Sequence, residues 1–479
     1  PPLPPPPPES ARSSSPDRRS LDGSGAMVRR RASRPPISFT RVGSERASEE
    51  KIRMGLEMFW ARLNGQVNEE DEFRVLRQSL TTGRWTLYTA GGKAKKPSQY
   101  HTKRAIPRAP DLPTHEPACP FCKGNESKTP DPLLAFDTQG KEYQVGELPS
   151  DWCVRVIPNI FPLLVTPPGL YGEAFQKKLA NIPHSAVAEG KHQNCYLGEA
   201  VKQKEADSDT NKLLFRQVSA MGYSEVIVEN CVHNGLIAIV SADQVALGLR
   251  AMQARGKILV QQPNVRQLLY FKQYGALSGG SLVHPHMQVV SLPLLTPETH
   301  NRLDRAWNHY HKLGECAVCK AHVREMGSCI GSSVHSSRLI YASEHFMVIA
   351  PFAASQYRVS IVPKTHSPSW LEASQEEVED LAKTLQLVML AIFEALDDPE
   401  YNIYIFSCDK DEEVGIAEAV HWSMEIHPRF PAELGGLELA SGIRVISGLP
   451  EEWARTLCNQ VKSILEKRGL DTEGGGSGA

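Results

Sequence analysis

The residues of this chain best suited to chemistry are two histidines and a glutamine at alternate positions. They lie in Gly280-Ser281-Leu282-Val283-His284-Pro285-His286-Met287-Gln288. Read as a strand, the segment sends His284, His286 and Gln288 to one face and Val283, Met287 and Val289 to the other, because successive strand residues alternate. The run just before it, Gly275-Ala276-Leu277-Ser278-Gly279-Gly280-Ser281, lets backbone N–H groups come close to a phosphate with no Cβ in the way. A phosphate held beside a nucleophilic imidazole points to phosphoryl or nucleotidyl transfer. Taken alone, a His-x-His pair reads equally well as a fragment of a metal site. Pro285 cannot donate to a ladder, so the expectation is an edge strand or a missing donor that faces open space.

Two Cys-x-x-Cys pairs, Cys119-Pro120-Phe121-Cys122 and Cys316-Ala317-Val318-Cys319, each resemble a knuckle in which a tight turn aims two thiolates at one zinc ion. The competing reading is a redox pair. Such pairs normally sit between a strand and a helix, whereas both of these follow loop-like sequence. Each pair needs two ligands from distant sequence: His233 and His284 are the candidates for the first, His345 and His421 for the second. The other six of the ten cysteines read as isolated packing residues. Nothing suggests a disulfide framework or a secretory signal, so a reducing compartment is expected.

The elements that position these residues read as a mixed α+β chain. Glu225-Val226-Ile227-Val228, Phe346-Met347-Val348-Ile349 and Val359-Ser360-Ile361-Val362 are short apolar runs expected to be strands. Helical periodicity runs from Glu376 to Leu396, with Ser374 as N-cap and acidic residues in the first turn, and again from Glu451 to Lys467. Residues 1–50 are rich in proline, serine and arginine and read as a disordered tail or, for their arginine-rich and acid-poor stretch, as a transit peptide. Residues 166–220 lack a clear period and read as an insertion, and residues 471–479 as a flexible tail. With 53 basic and 55 acidic residues in 479, no global field argues for nucleic acid. No apolar run is long enough to span a bilayer. The two halves, 70–295 and 296–470, look like one plan used twice: a Cys-x-x-Cys, a strand-rich middle, and a histidine motif near the end.

From Phe73 to Val461 the chain resembles the galactose-1-phosphate uridylyltransferase family, a branch of the histidine-triad superfamily that includes plant ADP-glucose phosphorylase-like members. The matches fall in family order. They are Thr82-Gly83-Arg84-Trp85 with Lys93 to Pro97, the Cys119 knuckle, Val154 to Pro162, Phe271 to Ala276, Gly280 to Gln288, Ala350 to Ala353, His421-Trp422, and Gly436 to Gly442. The departures are Gln273 where asparagine is usual, lysines in the basic turn, and Ser423 where a second histidine would complete His-Trp-His.

The resemblance implies two fused histidine-triad-like repeats, with antiparallel sheets and packed helices. It implies that His286 attacks the α-phosphorus of a nucleoside diphosphate sugar, forming a nucleotidyl-histidine and releasing a sugar 1-phosphate, before an acceptor takes the nucleotide in a ping-pong cycle. Gln288 and Ser281, with loop residues Gln273, Gly275 and Gly280, would hold phosphate oxygens. Asn159 and Phe161 would contact ribose and base, and Glu438 the sugar or acceptor. Zinc at Cys119, Cys122, His233 and His284 would anchor the nucleophile's strand, and a second zinc at Cys316, Cys319, His345 and His421 would be structural.

The leading expectation is a UDP-glucose–hexose-1-phosphate uridylyltransferase of galactose metabolism. The alternative is an ADP-glucose phosphorylase that uses inorganic phosphate. A histidine-triad hydrolase is disfavoured by Gln288, and a zinc-stapled binding protein without turnover by the intact His286. A homodimer is expected, with a cytoplasmic location or, alternatively, a plastid or other organelle.

Overall fold

Short β-branched strands and long amphipathic helices succeed one another in the same order in both halves of the chain. The computed structural model describes residues 73–78, 82, 85–90, 109–162, 221–321, 337–410, 416–430 and 435–470, together with 164, 166, 167, 169–171 and 175. The expected tails, the basic turn at Lys93 to Pro97 and most of the 166–220 insertion lie outside these residues.

Eleven strands form one antiparallel sheet. The first half supplies β3 (Leu134–Asp137), β4 (Glu142–Tyr143), β5 (Trp152–Pro158), β6 (Ser224–Val228), β7 (Gln267–Tyr274) and β8 (His286–Leu292). The second half supplies β9 (Leu339–Ala342), β10 (Phe346–Ile349), β11 (Val359–Pro363), β12 (Tyr401–Phe406) and β13 (Ser423–Pro428). Their order is β4-β3-β5-β6-β8-β7-β12-β13-β11-β10-β9, so the halves meet where β7 pairs with β12. From that seam the order reads outward alike on both sides: β7 answers β12, β8 answers β13, β6 answers β11, β5 answers β10. A separate three-stranded sheet joins β1 (Phe73–Gln78), β2 (Trp85–Ala90) and β14 (Arg444–Ser447), with β14 parallel to β2.

The helices also correspond. Helix α1 (Ala242–Leu259) links β6 to β7, α2 (Pro297–Leu313) follows β8, α3 (Gln375–Leu396) links β11 to β12, and α4 (Pro450–Lys467) closes the chain. In α3, Ser374 caps the first turn in a capping box with Glu377, which satisfies two otherwise orphaned N–H groups. Val378, Leu381, Leu385, Val388 and Ile392 recur every three or four residues and are buried. This stripe packs on α1, and burial of each such side chain contributes roughly 1.5–3 kcal/mol.

The core therefore runs unbroken beneath both halves. On β7 the alternation is complete: Leu268, Tyr270, Lys272 and Tyr274 are buried while Gln267, Leu269, Phe271 and Gln273 are half-buried. Lys272 is the odd member of the buried set, and it forms an ion pair with Glu229 inside the core.

Candidate active site

The His284 to Gln288 segment is not an edge strand. It enters the sheet between β6 and β7, and the ladder starts only at His286, opposite Val228, followed by Met287 opposite Lys272. Pro285 stays outside the ladder, so its missing donor costs no bond. His284 also lies before the strand, in a bend, and only His286 and Gln288 share a strand face.

The bend turns His284 toward the first knuckle. Its Nδ1 lies 3.6 Å from the sulfurs of both Cys119 and Cys122, and His233 Nδ1 lies 3.4 Å from Cys122 Sγ. All four residues are buried, and their ligand atoms cluster tightly enough to hold a metal ion. His284 Nε2 lies 2.8 Å from the Asn230 carbonyl. A carbonyl only accepts, so that nitrogen carries the proton and Nδ1 presents its lone pair to the thiols.

The second knuckle gathers Cys316, Cys319, His366 and His421. His366 takes the place expected of His345. His345 sits on the β9–β10 turn, where its N–H donates to Asp380 Oδ2 at 2.8 Å and its carbonyl accepts from Lys364 N–H. His366 follows β11 as His233 follows β6, and its Nδ1 lies 3.4 Å from Cys319 Sγ. The repeat of strand followed by histidine was the signal for it. Both His366 and His421 donate Nε2–H to carbonyls, those of Ala417 and Pro363.

His286 is 5 % exposed at the head of β8. Its Nδ1 donates to the His284 carbonyl at 2.9 Å, which leaves the lone pair on Nε2. Burial, and then the nearby Lys272 charge, outweigh that hydrogen bond and push its pKa down to about 4. The imidazole is therefore neutral near pH 7. The Phe121 ring, from inside the first knuckle, packs edge-on against it with centroids 5.4 Å apart. The same short loop thus presents two sulfurs to His284 and a ring to His286.

The glycine-bearing loop is built differently from the expected phosphate cradle. Gly275 and Gly279 have φ of 90° and 84°, which side chains disfavour, and a Cβ on Gly275 would lie 2.3 Å from Glu400. Within the loop, Ser278 and Gly280 N–H donate to the Gly275 carbonyl and Gly279 N–H to that of Ala276, while Leu277 N–H donates to the Glu400 carboxylate. These four donors are spent on the loop itself. The N–H groups of Ser281, Leu282 and Val283 follow it with no bond among the described residues and lead directly to His284 and His286.

The second half braces this loop, a role not visible in the local motif. Glu400 accepts from Leu277, and Asn402 Nδ2 donates to the Ser278 carbonyl at 2.9 Å. Gln273, at the end of β7, comes opposite His286 when the β7–β8 register is continued by one step, and its amide lies close beneath Gly279. Gln288 is half-buried opposite Val226 and Phe271. Asn159 lies four residues along the sheet from His286, at the level of Ser224 and Val290. Its side chain accepts from Phe161 N–H at 2.9 Å, and Phe161 is 70 % exposed. Glu438 lies on a short helix, Gly436–Ser441, next to β14 of the separate sheet, and no contact ties it to His286.

An ADP-glucose phosphorylase of Arabidopsis thaliana is 25% identical over 392 residues, which is 81% of this chain and 93% of that protein. A galactose-1-phosphate uridylyltransferase of Thermotoga maritima is 29% identical over 217 residues, 45% of this chain and 65% of that protein. The chain is thus similar both to an ADP-glucose phosphorylase and to galactose-1-phosphate uridylyltransferases.

Solved structures share the fold. The Arabidopsis thaliana ADP-glucose phosphorylase with bound ADP-glucose matches with a TM-score of 0.58 at 23% identity, over 80% of this chain and 98% of that one. A uridylyltransferase structure matches at 0.53 and 21% identity, over 82% of this chain and all of the other. Residues 214–295, from before β6 to the end of β8, also match the family model described as Domain of unknown function (DUF4931) N-terminal domain. No helix among the described residues is long and apolar enough to cross a membrane.

Proposed function

We propose that this chain is a nucleotidyltransferase acting through a nucleotidyl-histidine on His286. The observation that carries the reading is the fixed tautomer. With Nδ1–H donated to the His284 carbonyl, Nε2 keeps a free lone pair. Nε2 attacks the α-phosphorus of a nucleoside diphosphate sugar, the bond from that phosphorus to the bridging oxygen breaks, and a sugar 1-phosphate leaves. An oxygen of the acceptor then attacks the same phosphorus and returns the electron pair to Nε2. The N–H groups of Ser281, Leu282 and Val283, with the Gln288 amide, stabilise the charge that builds on the phosphate oxygens.

Zinc is the metal that suits both knuckles. Tetrahedral zinc with thiolate and imidazole ligands puts sulfur and nitrogen about 3.5 Å apart. The first knuckle has separations of 3.4–3.6 Å, and the second 3.4–4.0 Å. Cys119, Cys122, His233 and His284 would hold one ion, and Cys316, Cys319, His366 and His421 the other. Zinc there supplies rigidity rather than chemistry.

Two donors fit this mechanism. UDP-glucose with a hexose 1-phosphate acceptor is the reading that the motifs favour. ADP-glucose with inorganic phosphate draws support from the Arabidopsis relative, matched over 93% of its length against 65% for the Thermotoga uridylyltransferase. Intact mass after mixing with UDP-glucose or ADP-glucose, without acceptor, distinguishes them. A UMP or AMP adduct stable in alkali, lost in acid and absent from His286→Ala is the expected outcome and names the donor. An adduct that persists in His286→Ala would overturn the mechanism.

A further inference from the structure

The second half keeps a cavity where the first half has its reactive histidine. Registers fix the correspondence. Val226 pairs with Gln288 on the first side and Ser360 with Glu425 on the second, while Ile157 pairs with Val226 and Ile349 with Ser360. Hence Ser423 stands for His286, Glu425 for Gln288, Ser360 for Val226 and Ile349 for Ile157. The cavity is lined by these four counterparts, by Ala317 and Val318 of the second knuckle, and by Pro351 and Phe352 at the place of Asn159 and Ile160. It measures about 150 Å³ and opens to solvent on one side. An enclosed apolar space of that size accepts a flat aromatic ring.

This cavity has gained what the first site lacks. Three arginines line it, Arg302 from α2, Arg338 before β9 and Arg358 before β11, each paired with one carboxylate: Glu298, Glu451 and Glu425 respectively. Arg358 Nε is 3.1 Å from Glu425 and its Nη2 is 2.8 Å from the Tyr404 hydroxyl. Arg302 and Arg338 lie over the rings of Phe406 and Phe352, at 4.7 and 5.1 Å from the centroids. Stacked guanidinium groups keep their planar donor forks aimed at an anion and are the usual partners of phosphate. Where the first half has its glycine-bearing loop, the second has Ser407-Cys408-Asp409-Lys410, with Asp409 bonded to Ser369 and Tyr270.

We propose that this cavity is a second, non-catalytic binding site for a nucleoside 5′-monophosphate, its base in the apolar chamber and its phosphate on Arg302, Arg338 and Arg358. With Ser423 in place of the nucleophile, the ligand is held and not transferred. The choice of a nucleotide rests on reading the first half as a nucleotidyl-transfer site.

Equilibrium dialysis of the full chain with radiolabelled UMP, and separately AMP, tests this. Two sites per chain are expected for one of these nucleotides. Arg302→Gln, which removes the charge paired with the half-exposed Glu298, and Ser423→Phe, which fills the chamber, should each weaken one site at least tenfold. Formation of the His286 adduct should stay at the original level in both variants. A single site in the unaltered chain, or two sites retained in both variants, would overturn the proposal while leaving the His286 adduct to stand or fall on its own mass. A second site without any adduct would instead remove the mechanism and keep the cavity.

Discussion

The two halves of the sheet share strand order, knuckle and helix, yet only one carries the features of a transfer site. On β8, His286 and Gln288 lie next to backbone donors of Ser281 to Val283 that bond nothing else among the described residues. On β13, the same two positions are Ser423 and Glu425, and Glu425 is bonded to Arg358, Ser360 and Ser423. The difference is not one of scaffold. A thiol and histidine cluster is present on both sides, while the paired His286 and Gln288 stand on one only. The metal cluster is thus separable from the chemistry, and the common element is a rigid entry to the strand.

Removing the nucleophile should give the largest effect. His286→Ala is expected to lower adduct formation and turnover by more than about 10³-fold, with the melting temperature and metal content unchanged. The reciprocal Ser423→His should create no second adduct, because the charged Glu425 stands there in place of the Gln288 amide. Mass spectrometry of both variants reads the contrast directly, and an adduct on residue 423 would show that scaffold alone suffices.

Next in size is the buried Lys272–Glu229 pair. Lys272→Met should destabilise by about 3–5 kcal/mol, measured by urea unfolding, because it strands a buried carboxylate. Burial already raises the Glu229 pKa.

Knuckle substitutions sharpen the comparison further. Cys122→Ser and Cys319→Ser should each lose one metal per chain by elemental analysis. Only the first should also depress turnover, by about 10–100-fold, since only His284 leads into the nucleophile's strand. Equal losses of turnover would end the distinction between the two metal clusters.

A smaller effect is tied to pH. Burial alone would raise the Glu425 pKa, but Arg358 and Arg302 outweigh it and hold it below 4.5. A carboxylate lowered on folding contributes its stability in full above its ordinary pKa and loses it as pH falls through the folded value. The stability gap between the unaltered chain and Glu425→Gln should therefore be widest near neutrality and close in acid, in chemical denaturation at pH 7 and pH 3. Least of all, Ser374→Ala should cost about 1 kcal/mol through loss of the α3 cap.

Local pattern carried the elements well. The runs at Glu225, Phe346 and Val359 are strands, and the helices that begin near Ser374 and Glu451 run close to the expected bounds. Patterns that depend on one short stretch were legible because their physics is local. The errors arose where contacts cross the chain. Pro285 suggested an edge because sequence does not show where a ladder starts. His345 was expected as a ligand, whereas the spacing of a histidine after β6 and again after β11 points to His366. Nothing in Gly275 to Gly280 discloses that Glu400 and Asn402, more than a hundred residues on, take the Leu277 N–H and brace the Ser278 carbonyl.

The β7–β12 seam has a consequence for how such a chain can change over time. Its two members each lend their partner half a row of backbone hydrogen bonds, and the Tyr274 and Tyr401 rings meet across it with centroids 5.2 Å apart. A second half with Ser423 where the first has His286 is therefore not free to be lost. Its deletion would leave β7 as a bare edge, ready to pair with any other chain, and would release the loop beside His286. Inheritance can rewrite the pocket on that side, but it must keep the wall.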